Sequence, residues 1–268
     1  MKKIILLFTI AGAIFLNSCS NSDSELDSDD ITSDVLLKRT IETYQVNGTT
    51  RTSTTNFVYN GNKLVSSIET DGDDRTETRY TYTGDLITKE EFFENNELDE
   101  TLTYEYNSDN KLIICKRTIA GFNLIIKEVY IHNSDGTISV STYTGDTISQ
   151  DQLESNGRIY FTNDEISRTD NTEVGSIRTR MITYTYDAKN NPLKNITGFS
   201  KIAFVDEDNT GQGKHNILTE VSLDQGFPET TTISFQYTYN TDDYPQMVTE
   251  SLLRDDGTTE ESIIQYFY

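Results

Sequence analysis

From Phe57 onward, apolar and polar residues alternate with a period of two, and a short motif keeps returning. It runs aromatic, polar, aromatic, turn, apolar. Phe57-Val58-Tyr59 passes through Asn60-Gly61-Asn62 to Leu64, and Tyr80-Thr81-Tyr82 passes through Thr83-Gly84-Asp85 to Leu86. Tyr104-Glu105-Tyr106 leads through Asn107-Ser108-Asp109-Asn110 to Leu112, and Tyr130-Ile131-His132 through Asn133-Ser134-Asp135-Gly136 to Ile138. Weaker copies follow at Tyr143 and Tyr160-Phe161, and strong ones return at Tyr184-Thr185-Tyr186 and Tyr237-Thr238-Tyr239. The last residues, Tyr266-Phe267-Tyr268, read as the first strand of another copy. Residues two apart on a strand face the same side, so each aromatic pair marks one face of a strand. Gly, Asn and Asp supply the positive φ of tight hairpin turns. Each copy therefore predicts a β-hairpin, and consecutive hairpins predict an antiparallel meander. No helical period competes with it after the first leader residues.

Most strands alternate clearly, which predicts one wet face. Leu112-Ile113-Ile114-Cys115 and Leu124-Ile125-Ile126 are apolar at consecutive positions and predict strands covered on both faces. A long flat sheet is disfavoured because strands twist. The expected fold class is all-β, an antiparallel meander of repeated hairpins forming a coiled or barrel-like sheet. Residues 198–232 break the repeat, holding Pro228 and His215, and read as an irregular insert.

Composition narrows the function classes. The chain has 268 residues, with 44 acidic against 22 basic side chains and a formal net charge of -22. Binding nucleic acid relies on Lys and Arg to displace counterions, so no nucleic-acid partner is expected. Docking on anionic lipid by charge alone is excluded in the same way. Two Cys and two His leave little material for a four-ligand zinc site. Tyr and Phe are plentiful and Trp is absent. The absence of Trp weighs mildly against a sugar-binding platform. The tyrosine rows read first as core, in cross-strand aromatic pairs.

The start of the chain is an address. Met1-Lys2-Lys3 is positive and Ile4 to Leu16 is mostly apolar, about the length of a signal-peptide core. It ends in Leu16-Asn17-Ser18-Cys19, which resembles the lipobox of bacterial lipoproteins. The resemblance implies cleavage after residue 18, a lipid on Cys19, and attachment to the membrane through that lipid. Residues 19–34 then form an acidic tether, and residues 35–268 the β domain. The acidic stretch after Cys19 also resembles the export signal of some Gram-negative surface lipoproteins. That implies an outer-membrane location facing the cell surface; a periplasm-facing barrel is the alternative.

Within the domain, Tyr184 to Ile196 reads YTYDAKNNPLKNI. With YNSDNKL and YNGNKL, this segment resembles the tyrosine-aspartate repeats of the RHS type, and most of all the repeat-bearing lipoproteins of Gram-negative envelopes. Thr83, Thr144 and Thr162 stand where Asp is typical. The resemblance implies a β architecture and an envelope location, and no catalytic residues.

Few residues offer chemistry. Asp206, Asp208 and Thr210 place oxygen side chains at alternate positions before Gly211, the start of a calcium-loop pattern. The glutamate expected at the twelfth position is missing, since Ile217 stands there. Calcium is thus the cofactor to consider, against a plain acidic loop. Asp71-Gly72-Asp73-Asp74 and Asp255-Asp256-Gly257 read as turns. His132 replaces a tyrosine, and Cys115 reads as a small buried hydrophobe rather than a thiolate partner for His132. No nucleophile elbow, zincin motif or phosphate loop is present. The expected function is a lipid-anchored, non-enzymatic envelope protein binding a protein or glycan partner through its repeat sheet. One alternative is a hydrolase of polysaccharide or peptide using Asp206, Asp208 or His215. The other is a structural envelope scaffold.

Overall fold

The computed structural model describes residues 34–46, 48–205, 213–226, 230–254 and 257–268. The strands, in chain order, are β1 (Arg39–Val46), β2 (Thr49–Asn60), β3 (Lys63–Asp71), β4 (Asp74–Thr83), β5 (Leu86–Glu94), β6 (Glu97–Tyr106), β7 (Leu112–Ile119) and β8 (Ile125–His132). Then follow β9 (Ile138–Gly145), β10 (Gln150–Thr162), β11 (Glu165–Glu173), β12 (Thr179–Tyr186), β13 (Ile217–Asp224), β14 (Thr230–Tyr239), β15 (Pro245–Leu253) and β16 (Thr259–Phe267). Each pairs antiparallel with its sequence neighbours, and β16 pairs with β1 to close a 16-strand barrel. The meander expected from the repeats is present, and its ends meet: Thr40 stands opposite Tyr266. The aromatic residues of β16 thus find their strand partner in β1, across the closing seam.

The repeated turns explain themselves locally. In the four-residue turns, Asn107 Oδ1 accepts the amides of Asp109 and Lys111. Asn240 Oδ1 does the same for Asp242 and Tyr244. That Asx capping is why Asn follows the aromatic pair. The two-residue turns Asn95-Asn96 and Asn163-Asp164 have both central residues at positive φ, as hairpins with matched twist require.

A β-bulge recurs beside the second aromatic of the motif. Val58 pairs with Ser66 while Tyr59 pairs with Leu64, leaving Val65 out of register. The same slip lies at Tyr82, Tyr106 and Tyr186. The bulge puts the apolar residue after each turn, such as Leu64, Ile87 or Leu112, on the inner face beside the tyrosines. It also corrects one expectation. Leu112 and Cys115 both face inward because Ile113 is bulged, and Ile114 faces out. Leu124 precedes β8 and is 40% exposed. These strands have no second covering layer among the described residues.

The two walls of the barrel are opposite in character. Leu64, Ile87, Leu102, Tyr104, Leu112, Tyr130, Ile138, Ile159, Ile182 and Tyr184 form one buried interior cluster. The outer wall carries ion pairs along the strands: Arg75 and Arg79 with Glu77, Lys89 with Glu91, Lys116 with Glu105, and Arg168 with Asp170. Val58, Ile131 and Ile263 are exposed apolar side chains on it, and Ile114 faces Val129 there. Among the described residues no helix is long and apolar enough to cross a membrane.

The insert has different bounds from those the sequence suggested. Residues 217–224 are strand, and the described residues 187–205 and 213–216 lie off the ladder. Gly226 follows β13 at φ 92, in the connection to β14 rather than in the insert. Pro228 lies outside the described residues. The insert's described residues include the short helix α1 (Phe199–Ile202).

Candidate functional site

Residues 187–205 and 213–216 lie across one mouth of the barrel as a plug. Ile196, Phe199, Ile202 and Val205 join the interior cluster. Phe199 packs on Tyr80 with ring centroids 5.5 Å apart, and Phe204 meets Tyr130 edge-on at 5.3 Å. Backbone bonds tie the plug to the turns around the mouth: Thr197 N donates to Asn62 O, and Asn190 N to Asp243 O. Gly198, at φ 87, passes so near β5 that a Cβ there would meet Asp85 O at 2.9 Å. The paired tyrosines therefore close the plugged end from within. Tyr59 donates to Leu37 O at 2.7 Å and Tyr106 to Ile87 O at 2.6 Å. Burial pushes the phenols of Tyr80 and Tyr104 well above their ordinary range, so they stay neutral.

Toward the end away from the plug the inner wall turns polar. Glu42 on β1 stands opposite Ser53 on β2, and Thr40 opposite Thr55. Thr55 in turn faces Glu69 on β3. On the other side of the seam Glu250 faces Ser262. Glu42 is only 6% exposed, and burial pushes its carboxyl up to about 7. The Ser262 hydroxyl opposes that rise, while the like charges of Glu250 and Glu69 add to it. Burial also raises Glu250. Glu69 accepts from Thr76 Oγ1 at 2.9 Å. Nearer the rim, Tyr44 donates to Asp71 at 2.8 Å, and Arg51 pairs with Asp71 at 3.5 Å. Burial and this carboxylate lift the Tyr44 phenol to about 12. A shallow depression of about 670 Å³ opens there, lined by Arg51, Thr52, Asp71, Gly72, Asp73 and Asp74.

A carboxylate also holds the far end of the plug. Glu165, buried at the start of β11, accepts the amides of Lys214 at 2.9 Å and His215 at 3.0 Å through Oε1. The same oxygen lies 3.0 Å from His215 Nδ1. Lys214 Nζ reaches Asp164 at 2.8 Å. An imidazole oriented by a carboxylate is the beginning of a general base. Here that oxygen is spent on two backbone amides, which makes the group a latch.

The structure sorts the sequence candidates unevenly. Cys19, Asp206, Asp208 and Thr210 lie outside the described residues, so the lipidation and calcium readings have no structural account. No group of three His, Cys, Asp or Glu among the described residues is placed to hold a metal ion. Gly72 and Asp73 form the turn between β3 and β4, as the sequence suggests, and Asp255 and Asp256 are not described. His132 occupies the second aromatic place and bonds Leu112 O at 2.8 Å. Cys115 stands opposite Glu128, four residues back along β8 from His132. At ~3.3 Å per residue that puts the thiol and the imidazole about 13 Å apart along the strand. The polar wall and the Glu165 latch were missed in the sequence. Each carboxylate is isolated there, and only barrel closure makes Glu250 a neighbour of Glu42.

No family model matches the chain, and no curated protein matches it. Solved structures do resemble it. A porin-like protein from Bacteroides uniformis ATCC 8492 is 12% identical, with 86% of this chain and 96% of that one aligned at a TM-score of 0.52. A porin-like protein from Bacteroides vulgatus ATCC 8482 is 17% identical, with 87% and 98% aligned at a TM-score of 0.53. At these identities the likeness is one of fold: an antiparallel β-barrel shared over most of both chains.

Proposed function

We propose that this chain is a lipid-anchored envelope protein whose barrel stands in water beside the membrane and binds a protein or glycan partner. The outer wall carries this reading. A lipid-facing barrel wall needs a continuous apolar band, because a Lys or Arg at mid-bilayer costs about 2–4 kcal/mol. Here Arg79, Lys89, Lys116 and Arg168 stand on outer mid-strand positions, each with a carboxylate. The interior is a packed core at the plugged end, where a conducting pore would need water. The porin-like neighbours thus lend the chain their architecture, and the anchor falls to Cys19 in the lipobox-like leader.

The protein acts by binding rather than by turnover, since the His215–Glu165 pair serves to hold the plug. The test is fractionation of cells making the wild type and Cys19→Ala, with metabolic labelling by a fatty acid. The wild type is expected in the membrane fraction and labelled. The variant is expected unlabelled and free in buffer without detergent. Retention of the unlabelled variant in the membrane would overturn the reading. Hydrolysis of an envelope polysaccharide or peptide that vanishes in Glu165→Gln would overturn the non-enzymatic part. Protease shaving of intact and lysed cells then decides between surface and periplasmic exposure.

A further inference from the structure

We propose that the inner wall built by β15, β16, β1, β2 and β3 is a binding site for an organic polycation, a linear polyamine bearing several ammonium groups. The inference goes beyond the binding reading above and stands on the geometry of this wall alone.

Two independent observations meet on this wall. The first is a row of carboxylates on alternate strands: Glu250, Glu42 and Glu69. The charges of Glu250 and Glu69 raise the cost of charging Glu42, and a positive ligand offsets that cost. The second is a set of hydroxyls with nothing to bond. Ser53 Oγ, Thr55 Oγ1 and Thr40 Oγ1 are buried without a hydrogen-bond partner among the described residues. Their residues are 0%, 2% and 4% exposed. Register puts all three on the carboxylate face, Ser53 opposite Glu42 and Thr55 between Thr40 and Glu69. Buried hydroxyls are normally satisfied, so unsatisfied ones ask for a partner. A hydroxyl oxygen and a carboxylate side by side accept two of the three protons of an ammonium group.

Spacing selects the class of cation. Strands lie about 4.8 Å apart, so carboxylates on alternate strands are separated by roughly 10 Å. A single calcium ion draws its ligands to about 2.3–2.6 Å and cannot span that row. An extended polyamine can, with one ammonium group at each carboxylate. Arg51 and Asp71, which line the depression at the rim, stand two residues along their strands from Ser53 and Glu69 and bring that depression next to the wall.

The experiment is titration calorimetry of the purified full chain with spermidine at low salt, with calcium chloride titrated separately. Saturable binding is expected, weakened at least about tenfold, or ~1.4 kcal/mol, in the double variant Glu42→Gln, Glu250→Gln. Ser53→Ala with Thr55→Val, which leaves every carboxylate in place, is expected to weaken it severalfold. Glu105→Gln, on the outer wall, is expected to leave it unchanged. The glutamine variants remove a buried like-charge pair, so their melting temperatures should not fall, and weaker binding cannot then be ascribed to unfolding. Absence of saturable heat overturns the proposal. So does equal weakening by Glu105→Gln, which would mean attraction to the acidic chain as a whole. Saturable calcium binding that displaces spermidine overturns it in favour of a metal.

Discussion

Gly213 lies against Glu165 so closely that a Cβ on it would meet Glu165 Oε2 at 2.2 Å. The carboxylate that latches the plug occupies the space a side chain would need. Gly213→Ala therefore pushes against Glu165 and should cost about 1–3 kcal/mol. Glu165→Ala removes the charged acceptor of the part-buried Lys214 and His215 amides, at about 1.5–3 kcal/mol. The two substitutions act at one place, so the double variant should cost less than the sum. Urea unfolding of all four proteins measures the coupling; strict additivity would mean that Gly213 and Glu165 act independently and that the close approach does not hold the plug.

Phe199 is the plug's main aromatic anchor, 4% exposed and packed on Tyr80. Phe199→Ala should cost about 3–5 kcal/mol. Near-ultraviolet circular dichroism should lose tyrosine signal, because the inner tyrosine row loses its partner. An unchanged melting temperature would show that the plug contributes little to the fold.

Ile131 faces outward on β8 and is 59% exposed. In a barrel surrounded by water, Ile131→Lys should change stability by less than about 0.5 kcal/mol. In a barrel surrounded by lipid, Val129→Lys, two residues nearer mid-strand on the same face, would cost about 2–4 kcal/mol. Thermal melts of the detergent-free protein, wild type against both variants, separate the two surroundings.

Glu42 makes stability depend on pH in an unusual sense. Its carboxyl titrates at about 7 when folded, against an ordinary value of 4.5. Between those values the folded state holds a proton that the unfolded chain has lost, so stability falls as pH rises. The contribution is complete below about 4.5 and gone above about 7, and amounts to roughly 3 kcal/mol by the size of the shift. Melting temperatures at pH 5 and pH 8 should differ less in Glu42→Gln than in the wild type. An identical pH slope in the two would remove Glu42 as the source.

Much of this architecture is written locally. The tyrosine pairs, the Asn-led turns and the apolar residue after each turn lie within a few positions of one another, and strand and turn preferences act at that range. Closure is not local: Thr40 and Tyr266 come from opposite ends of the sequence. The recurring bulge is equally hidden, since a period-two reading assigns Ile113 and Cys115 to one face. The extra residue at Ile113 moves Cys115 to the side of Leu112. The plug escaped for a different reason. Asn191, Gly198 and Gly213 read as loop residues, and their purpose appears only where Lys214, Asp85 and Glu165 come up against them. The polar wall combines both difficulties, because Glu42 meets Glu250 only across the closing seam.

That seam sets the order of assembly. Every other strand pair joins sequence neighbours across a hairpin or, between β12 and β13, across the plug segment. Hairpins form in microseconds, whereas distant segments that pair must first overcome the entropy of closing the loop between them. The ring can shut only after the last strand has been made and has found the first. Until then β1 and β16 are open edges, able to pair with another copy of themselves. The period before closure is therefore the time at which this chain is most exposed to strand exchange and aggregation.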